Sequence, residues 1–243
     1  MKVVAIIQAR MGSTRLPRKA MLDIEGKPML WHVVERIKRV QNIDEVVVAT
    51  TTEDEDRFIV DYCAEENINC FRGSSEDVLD RYYKAALDYK ADVVVRITSD
   101  CPLIDSGLVD RLVEAYLAEK EQYVGASTII NRTFPRGLDC ELVNFRTLER
   151  LWKDVAEIKY REHVTLYMYK HPEGFDIKSV ELDKDFSDHR WTVDEQEDLD
   201  FIREVYKSLY VEKENFDFKD VLSLLNDNPD LSDINRHIQQ KVY

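Results

Sequence analysis

No apolar run in this sequence approaches the eighteen or so residues of a membrane span, which excludes a transmembrane helix. The four cysteines, Cys63, Cys70, Cys101 and Cys140, make no C-x-x-C pair. That argues against a zinc site or a disulfide framework and fits a reducing cytoplasm. The five histidines lack metal-ligand spacing such as H-x-x-x-H. Basic residues are the minority, 34 against 48 acidic, for a formal net charge of -14. Such a balance disfavours broad binding to nucleic acid or to an anionic membrane. The start, MKVVAIIQARM, has no small-residue cleavage site and reads as a first strand, not a signal peptide. A cytoplasmic protein is expected, with neither nucleic acid nor membrane as partner.

What is present is enough for one large domain, or a domain with a subdomain, in 243 residues. The first half alternates. Lys2 to Ala9, Glu45 to Thr50, Ile68 to Phe71 and Ala91 to Ile97 are strand-like, and the longer ones are apolar throughout, as in strands buried on both faces. Between and after them, Pro28 to Val40, Asp54 to Glu66, Ser75 to Tyr89 and Asp105 to Glu119 have helical spacing, with Ser74 or Ser75 as N-cap of the third. This order predicts an α/β fold with a mostly parallel sheet and helices on both faces. After Tyr123 the rhythm breaks. Short strands (Gln122 to Ser127, Leu138 to Phe145, Phe175 to Val180) mix with helices (Arg146 to Ala156, Arg161 to Tyr169), and Asp194 to Tyr210 and Phe216 to Asn226 are helical again. The reading is a single domain over 1–243 with a less regular insertion at about 125–190. The polar tail from about Pro229 is expected to be loosely held.

The stretch IIQARMGSTRLPRKAML, Ile6 to Leu22, stands out in an acidic chain because it gathers Arg10, Arg15, Arg18 and Lys19 around one glycine, Gly12. It leaves the end of the first strand, where ligands bind in parallel α/β sheets. The three-glycine dinucleotide fingerprint is absent, and so is the Walker A spacing. Gly12, Ser13 and Thr14 can instead bring backbone N–H groups to an anion, with Arg15 and Lys19 neutralising phosphate and Pro17 stiffening the loop. The competing reading is a solvated basic turn.

These residues carry a resemblance. R-M-G-S-T-R-L-P-x-K followed by Gly26-Lys27-Pro28-Met29 resembles the signature loop of the CTP-dependent sugar-acid cytidylyltransferases, the acylneuraminate and 3-deoxy-octulosonate enzymes among them. The chain looks most like their spore-coat-polysaccharide branch. DEVVVATT (44–51), FRGSSEDVLDRYY (71–83), VVRITSDCPLID (94–105), PRGLDCELV (135–143), REHVT (161–165) and the segment 190–202 extend the match over most of the chain. One departure is Arg18, where the family usually has glycine. The resemblance implies a three-layer, Rossmann-like nucleotidyltransferase fold.

Asp100 follows the fourth strand, where a carboxylate can hold Mg²⁺ or cap the 105–119 helix. The resemblance pairs it with Asp194 as ligands of the catalytic metal. Asp194 also reads as an N-cap, with Glu197 completing a capping box. Without metal the two like charges are expected to raise at least one pKa. By resemblance Ala9, Arg10, Gly12, Ser13, Thr14, Thr50, Arg72, Ser74 and Ser99 approach the nucleotide, although Thr50 to Thr52 also reads as a polar turn. Asp139, Glu141, Arg161 and His163, in the irregular half, are candidates for an acceptor's hydroxyls and carboxylate; an interior histidine is an equal reading of His163. Trp191, Cys101 and Cys140 are expected in the core, and Asp77 and Asp80 on an exposed or capping helix face. The expected reaction moves CMP from CTP to a sugar or sugar acid, with Arg15, Lys19, Asp100 and Asp194 as catalytic residues and Mg²⁺ as cofactor. No general base is evident. Rival readings are another nucleotide, a phosphorylated acceptor, or a nucleotide-binding regulatory module without catalysis. Homodimers are usual among the resembling enzymes, so a homodimer is expected, with its contact in the 125–190 region.

Overall fold

In the computed structural model, which describes residues 1–239, the first apolar run is β1 (Val3–Gln8). It is apolar throughout because both of its faces are covered. Val3, Ala5 and Ile7 point into one core cluster, Val4 and Ile6 into the other. A hairpin follows, β2 (Asp23–Ile24) and β3 (Lys27–Pro28), which the sequence reading did not anticipate. Its turn residues Glu25 and Gly26 both have positive φ, 48° and 80°, as a tight two-residue hairpin loop demands. Then come α1 (Met29–Lys38), β4 (Glu45–Thr51), α2 (Arg57–Glu65), β5 (Asn69–Gly73), α3 (Val78–Asp88), β6 (Val93–Thr98) and α4 (Ser106–Glu119). The second half supplies β7 (Gly125–Ser127), β8 (Glu141–Asn144), α5 (Phe145–Asp154), α6 (Ile158–Glu162), α7 (Leu166–Lys170), β9 (Ile177–Ser179), α8 (Gln196–Leu209) and α9 (Phe218–Asp227).

One seven-stranded sheet runs in the order β5-β4-β1-β6-β8-β7-β9. Only β8 runs against the other six. Helices α1, α2, α4, α8 and α9 cover one face; α3, α5, α6 and α7 cover the other. The segment 125–190 therefore adds three strands to the central sheet. The chain goes outward from β1 to β4 and β5, then returns through α3 to β6 on the far side of β1. This reversal makes β1/β6 the switch point, and Gln8 lies level with Thr98 across it. The loops that leave these two strands flank the crevice where α/β sheets bind ligands.

Several boundaries differ from expectation for local reasons. The helix read at 161–169 is two short ones, broken at Val164, whose φ of 53° is an outlier for a β-branched residue. The N-cap of α3 is Asp77, which accepts from the Asp80 N–H, while the Ser74 hydroxyl accepts from Asp77 N–H one turn earlier. Asp80 accepts from the Trp152 indole and pairs with Lys84. The described start of the tail is held: Pro229–Asp233 is a 3₁₀ turn and Asn235 is buried. Residues 240–243, the end of the expected 1–243 domain, lie outside the described residues. Trp191, Cys101 and Cys140 are in the core as expected. Among the described residues, no helix is long and apolar enough to cross a membrane.

Candidate active site

The basic stretch after β1 folds into a closed loop. The carbonyl of Met11 accepts from the N–H groups of both Ser13 (2.8 Å) and Arg18 (3.1 Å). The start of the loop is tied down from α2's side, where the buried carboxylate of Asp56 accepts from the Met11 N–H at 2.6 Å and from the Thr51 hydroxyl. Arg18 occupies the left-handed region, φ 61° and ψ 20°, and its guanidinium lies 5.0 Å from the Phe58 ring centre. This is the position where the resembling family has glycine. A left-handed backbone costs a side chain about 1–2 kcal/mol. Arg18→Gly is expected to leave the loop intact and to change stability by less than about 1 kcal/mol, because lost strain offsets lost ordering and ring contact. Chemical denaturation checks this; a loss of several kcal/mol would mean that the side chain, not the backbone, shapes the loop.

A 3₁₀ turn, Lys19–Met21, ends the loop and aims Lys19 across the crevice. Its Nζ donates to Asp100 Oδ2 at 2.8 Å, Asp194 Oδ1 at 2.9 Å and the Val193 carbonyl at 2.8 Å. Two carboxylates that lie 94 residues apart in sequence thus meet on one ammonium. Their facing oxygens cannot be farther apart than about 5.7 Å, the two ion-pair distances laid end to end. Arg15 adds a second cation, 2.8 Å from Asp194 Oδ1 and 3.7 Å from Glu195. Arg190 Nη2 approaches Asp194 Oδ2 from behind at 3.4 Å.

The expected mutual repulsion of the aspartates is not what governs Asp100. Burial by itself pushes the Asp100 carboxyl up, but Lys19 and the Thr98 hydroxyl, 2.5 Å away, outweigh it and bring the pKa down to about 2. Burial pulls the Lys19 ammonium down, and Asp100 and Asp194 more than offset that, so it rises above its ordinary value. Side-chain exposure is 14% for Lys19, 13% for Asp194 and 24% for Asp100, so these attractions act where water screens them weakly.

Neither aspartate caps a helix. Asp105 caps α4, accepting from the Leu108 N–H. The chain stays extended through Glu195, which caps α8, and Asp198, not Glu197, completes the capping box. Asp194 is thereby left facing Lys19 and Arg15. Sequence reading missed Asp198 and Arg190. Asp198 is fully buried, and both Nε and Nη2 of Arg190 donate to it at 2.8 Å. Burial alone pushes the Asp198 carboxyl up, but these bonds and its backbone donors hold it below the ordinary range. Asp56 was also missed, since in an acidic run it looks like part of a solvated face.

The other expected nucleotide residues lie at the ends of β1, β4, β5 and β6 or in the loops that follow them. Ala9 and Ser99 are held by backbone bonds to Ala49 and Gln8. A Cβ on Gly12 would sit 2.9 Å from the Glu55 carboxylate. Arg10 and Thr14 are exposed. Thr50 is buried, with its hydroxyl unpartnered among the described residues. The guanidinium of Arg72 donates to the carbonyls of Thr51 and Glu53, both at 3.0 Å, so its bonds serve the loop after β4.

The acceptor candidates divide. Glu141, directly opposite Arg96 in the sheet, pairs with it and accepts from the hydroxyls of Thr165 and, at 2.6 Å, Tyr169. The His163 imidazole lies close enough to feel Arg96 and Glu141, and burial pulls its pKa below the ordinary value. Asp139 pairs with Arg132 and keeps about a third of its surface accessible; burial pushes its carboxyl up and Arg132 only partly offsets this. Arg161 is turned elsewhere, to Asp77 at 2.7 Å and to the Trp152 and Val155 carbonyls.

The profile of the family described as cytidylyltransferase matches residues 4–223. The chain belongs to this family. It is 33% identical to the spore coat polysaccharide biosynthesis protein SpsF of Bacillus subtilis, over 94% of this chain and 95% of that one. It is 30% identical to the 3-deoxy-manno-octulosonate cytidylyltransferase of Geobacter metallireducens, over 70% and 75%. A solved cytidylyltransferase from Leptospira borgpetersenii superimposes with a TM-score of 0.92 at 33% identity, over 100% of this chain and 99% of that one. The three-layer nucleotidyltransferase fold read from the sequence is the fold observed, and the protein is a cytidylyltransferase.

Proposed function

We propose that the enzyme transfers CMP from CTP to a hydroxyl of a sugar or sugar acid and releases pyrophosphate, making activated precursors for surface polysaccharide or glycoconjugate. The observation that carries this reading is the convergence of Lys19, Asp100 and Asp194 at the β1/β6 switch point. The named activities of the relatives point the same way. In the reaction the acceptor oxygen forms a bond to the α-phosphorus as the bond to the pyrophosphate oxygen breaks. Such chemistry needs positioning and charge neutralisation more than covalent help.

Asp100 and Asp194 suit Mg²⁺. They offer hard oxygen donors from two sides of a point where a cation already sits, and this ion is commonly bound by one or two carboxylates plus substrate phosphates and water. Among the described residues no cluster of three or more metal-ligating side chains exists. When bound, Mg²⁺ would polarise the α-phosphate and neutralise charge there. Lys19 and Arg15, released from the aspartates, would hold the triphosphate, and the Gly12-Ser13-Thr14 backbone would line its approach. Asp139, Glu141 and His163 face the acceptor side in this reading; Arg161 keeps the structural bonds described above. A homodimer is part of the proposal.

Pyrophosphate release from CTP and Mg²⁺, measured across a panel of sugars and sugar acids, tests the reaction; no release with any acceptor would count against it. CTP is also expected to stabilise the protein more than ATP, GTP or UTP. At a hundred times its dissociation constant a ligand adds about 2.7 kcal/mol, a rise of roughly 5–10 °C in the melting midpoint for a chain of this size. Equal shifts with all four nucleotides would remove the preference for cytidine.

A further inference from the structure

We infer that Asp198 and Asn235 are positioning residues for Asp194, so that the segment after α9 is part of the catalytic apparatus. The inference rests on the proposed reaction only for its kinetic readout.

Asp198 is wholly buried and accepts five hydrogen bonds. Two come from Arg190. Two come from the backbone N–H groups of Asp194 (2.9 Å) and Glu195 (3.1 Å). The fifth comes from the Asn235 amide at 3.0 Å. Asp198 therefore fixes the Asp194 backbone directly and, through Arg190, backs its Oδ2. Oδ1 is left toward Lys19 and Arg15. A reactive group must be held to within about 0.5 Å for positioning to count, and this arrangement grips Asp194 at its backbone N–H and at one carboxylate oxygen.

The bland alternative is that Asp198 only completes the α8 capping box. Asn235 separates the two readings, because it takes no part in that box. It is buried, and its Nδ2 bridges the Arg190 carbonyl (2.9 Å) and Asp198 Oδ1. Its amide holds Arg190 and Asp198 together from 37 residues beyond Asp198 in sequence.

The test is Asn235→Ala in the full chain, read by amide hydrogen exchange and by kinetics. Exchange at the Asp194 and Glu195 amides is expected to speed up about tenfold or more while the body of α8 stays protected, since these bonds are set by Asp198 alone. With saturating CTP, kcat is expected to fall about tenfold and KM for CTP to change less than about twofold, the pattern of an interaction lost in the transition state. If Asn235→Ala does not fold, Asn235→Asp serves. It keeps the shape, removes the donor and sets a second carboxylate against Asp198, so its effects should be at least as large. Unchanged exchange at 194–195 with wild-type kcat would overturn the inference. So would a lowered melting temperature with no local change in exchange. If the wild type shows no CTP turnover, the proposed reaction fails and the exchange result still decides this inference.

Discussion

Lys19→Ala should cut turnover at saturating CTP by about a hundredfold or more, the scale seen when one donor to transition-state charge is removed. The loop would survive, since its backbone closes on Met11 and Asp56 without the lysine side chain. The substitution has a second signature in acid. Asp100 has a folded pKa of about 2, below its ordinary 3.8. A depressed carboxyl stabilises the fold above its unfolded pKa, and that stability is lost as pH falls through the folded value. For Asp100 the window is about pH 4 to 2 and the contribution about 2–3 kcal/mol. Without Lys19 the carboxyl rises and this contribution shrinks. Buried His32 acts in a separate window. Burial lowers its pKa to about 4, with Nε2–H donating to the Ile24 carbonyl, so its share is lost between about pH 6.5 and 4. At the alkaline end, Lys19 is held above 10.5, and its share is complete below that value. The variant should therefore be less stable than wild type near neutrality, with the difference closing only between pH 4 and 2. Urea melts at pH 7, 5 and 3 check this. Wild-type turnover, or a stability difference that closes already by pH 5, would remove Lys19 from the role given to it.

Gly137→Ala is expected to be severely damaging. Gly137 has φ of 102°, a conformation that side chains rarely adopt. A Cβ there would lie 2.4 Å from the Trp191 carbonyl carbon and 2.6 Å from the Thr192 nitrogen. These are backbone atoms, bound to their neighbours: Trp191 N–H donates to the Arg136 carbonyl at 2.7 Å, and Val193 N–H to that of Asp100. Neither side can yield without moving the segment that leads to Asp194. Strain and overlap together should cost about 4 kcal/mol or more, a fall of roughly 10 °C in melting midpoint. Displacing the segment by 1 Å would lower turnover by up to about a hundredfold. A variant with an unchanged midpoint and turnover would show that Gly137 and Trp191 do not pack as described.

The parts legible in the sequence are those set by local pattern. All seven strands of the central sheet fall on segments read as strands, with β4, β5 and β6 running one or two residues past the expected ends, because runs such as VVAIIQ and VVVRIT are apolar for a reason of burial that needs no partner to be named. The basic loop was legible from its position after β1. The Lys19–Asp100–Asp194 cluster was not visible in periodicity; the family resemblance paired the aspartates, and the lysine between them is a product of the fold. Helix caps failed where two acidic residues compete. Asp194 and Glu197 have the spacing of a capping box, and so do Glu195 and Asp198; only the burial of Asp198 against Arg190 decides. Arg161 was misjudged for a similar reason. An arginine in the irregular half reads as ligand-binding until the Asp77 cap that takes its charge is seen.

The family match ends at residue 223, inside α9. A protein trimmed to that boundary would retain every strand, the basic loop and both aspartates of the crevice. It would lack Asn235, whose amide spans the Arg190 carbonyl and Asp198. The family profile and the proposed working unit thus have different edges here. A domain transplanted into a fusion or a circular permutant should be cut beyond the 3₁₀ turn at Pro229–Asp233, with Asn235 kept in place.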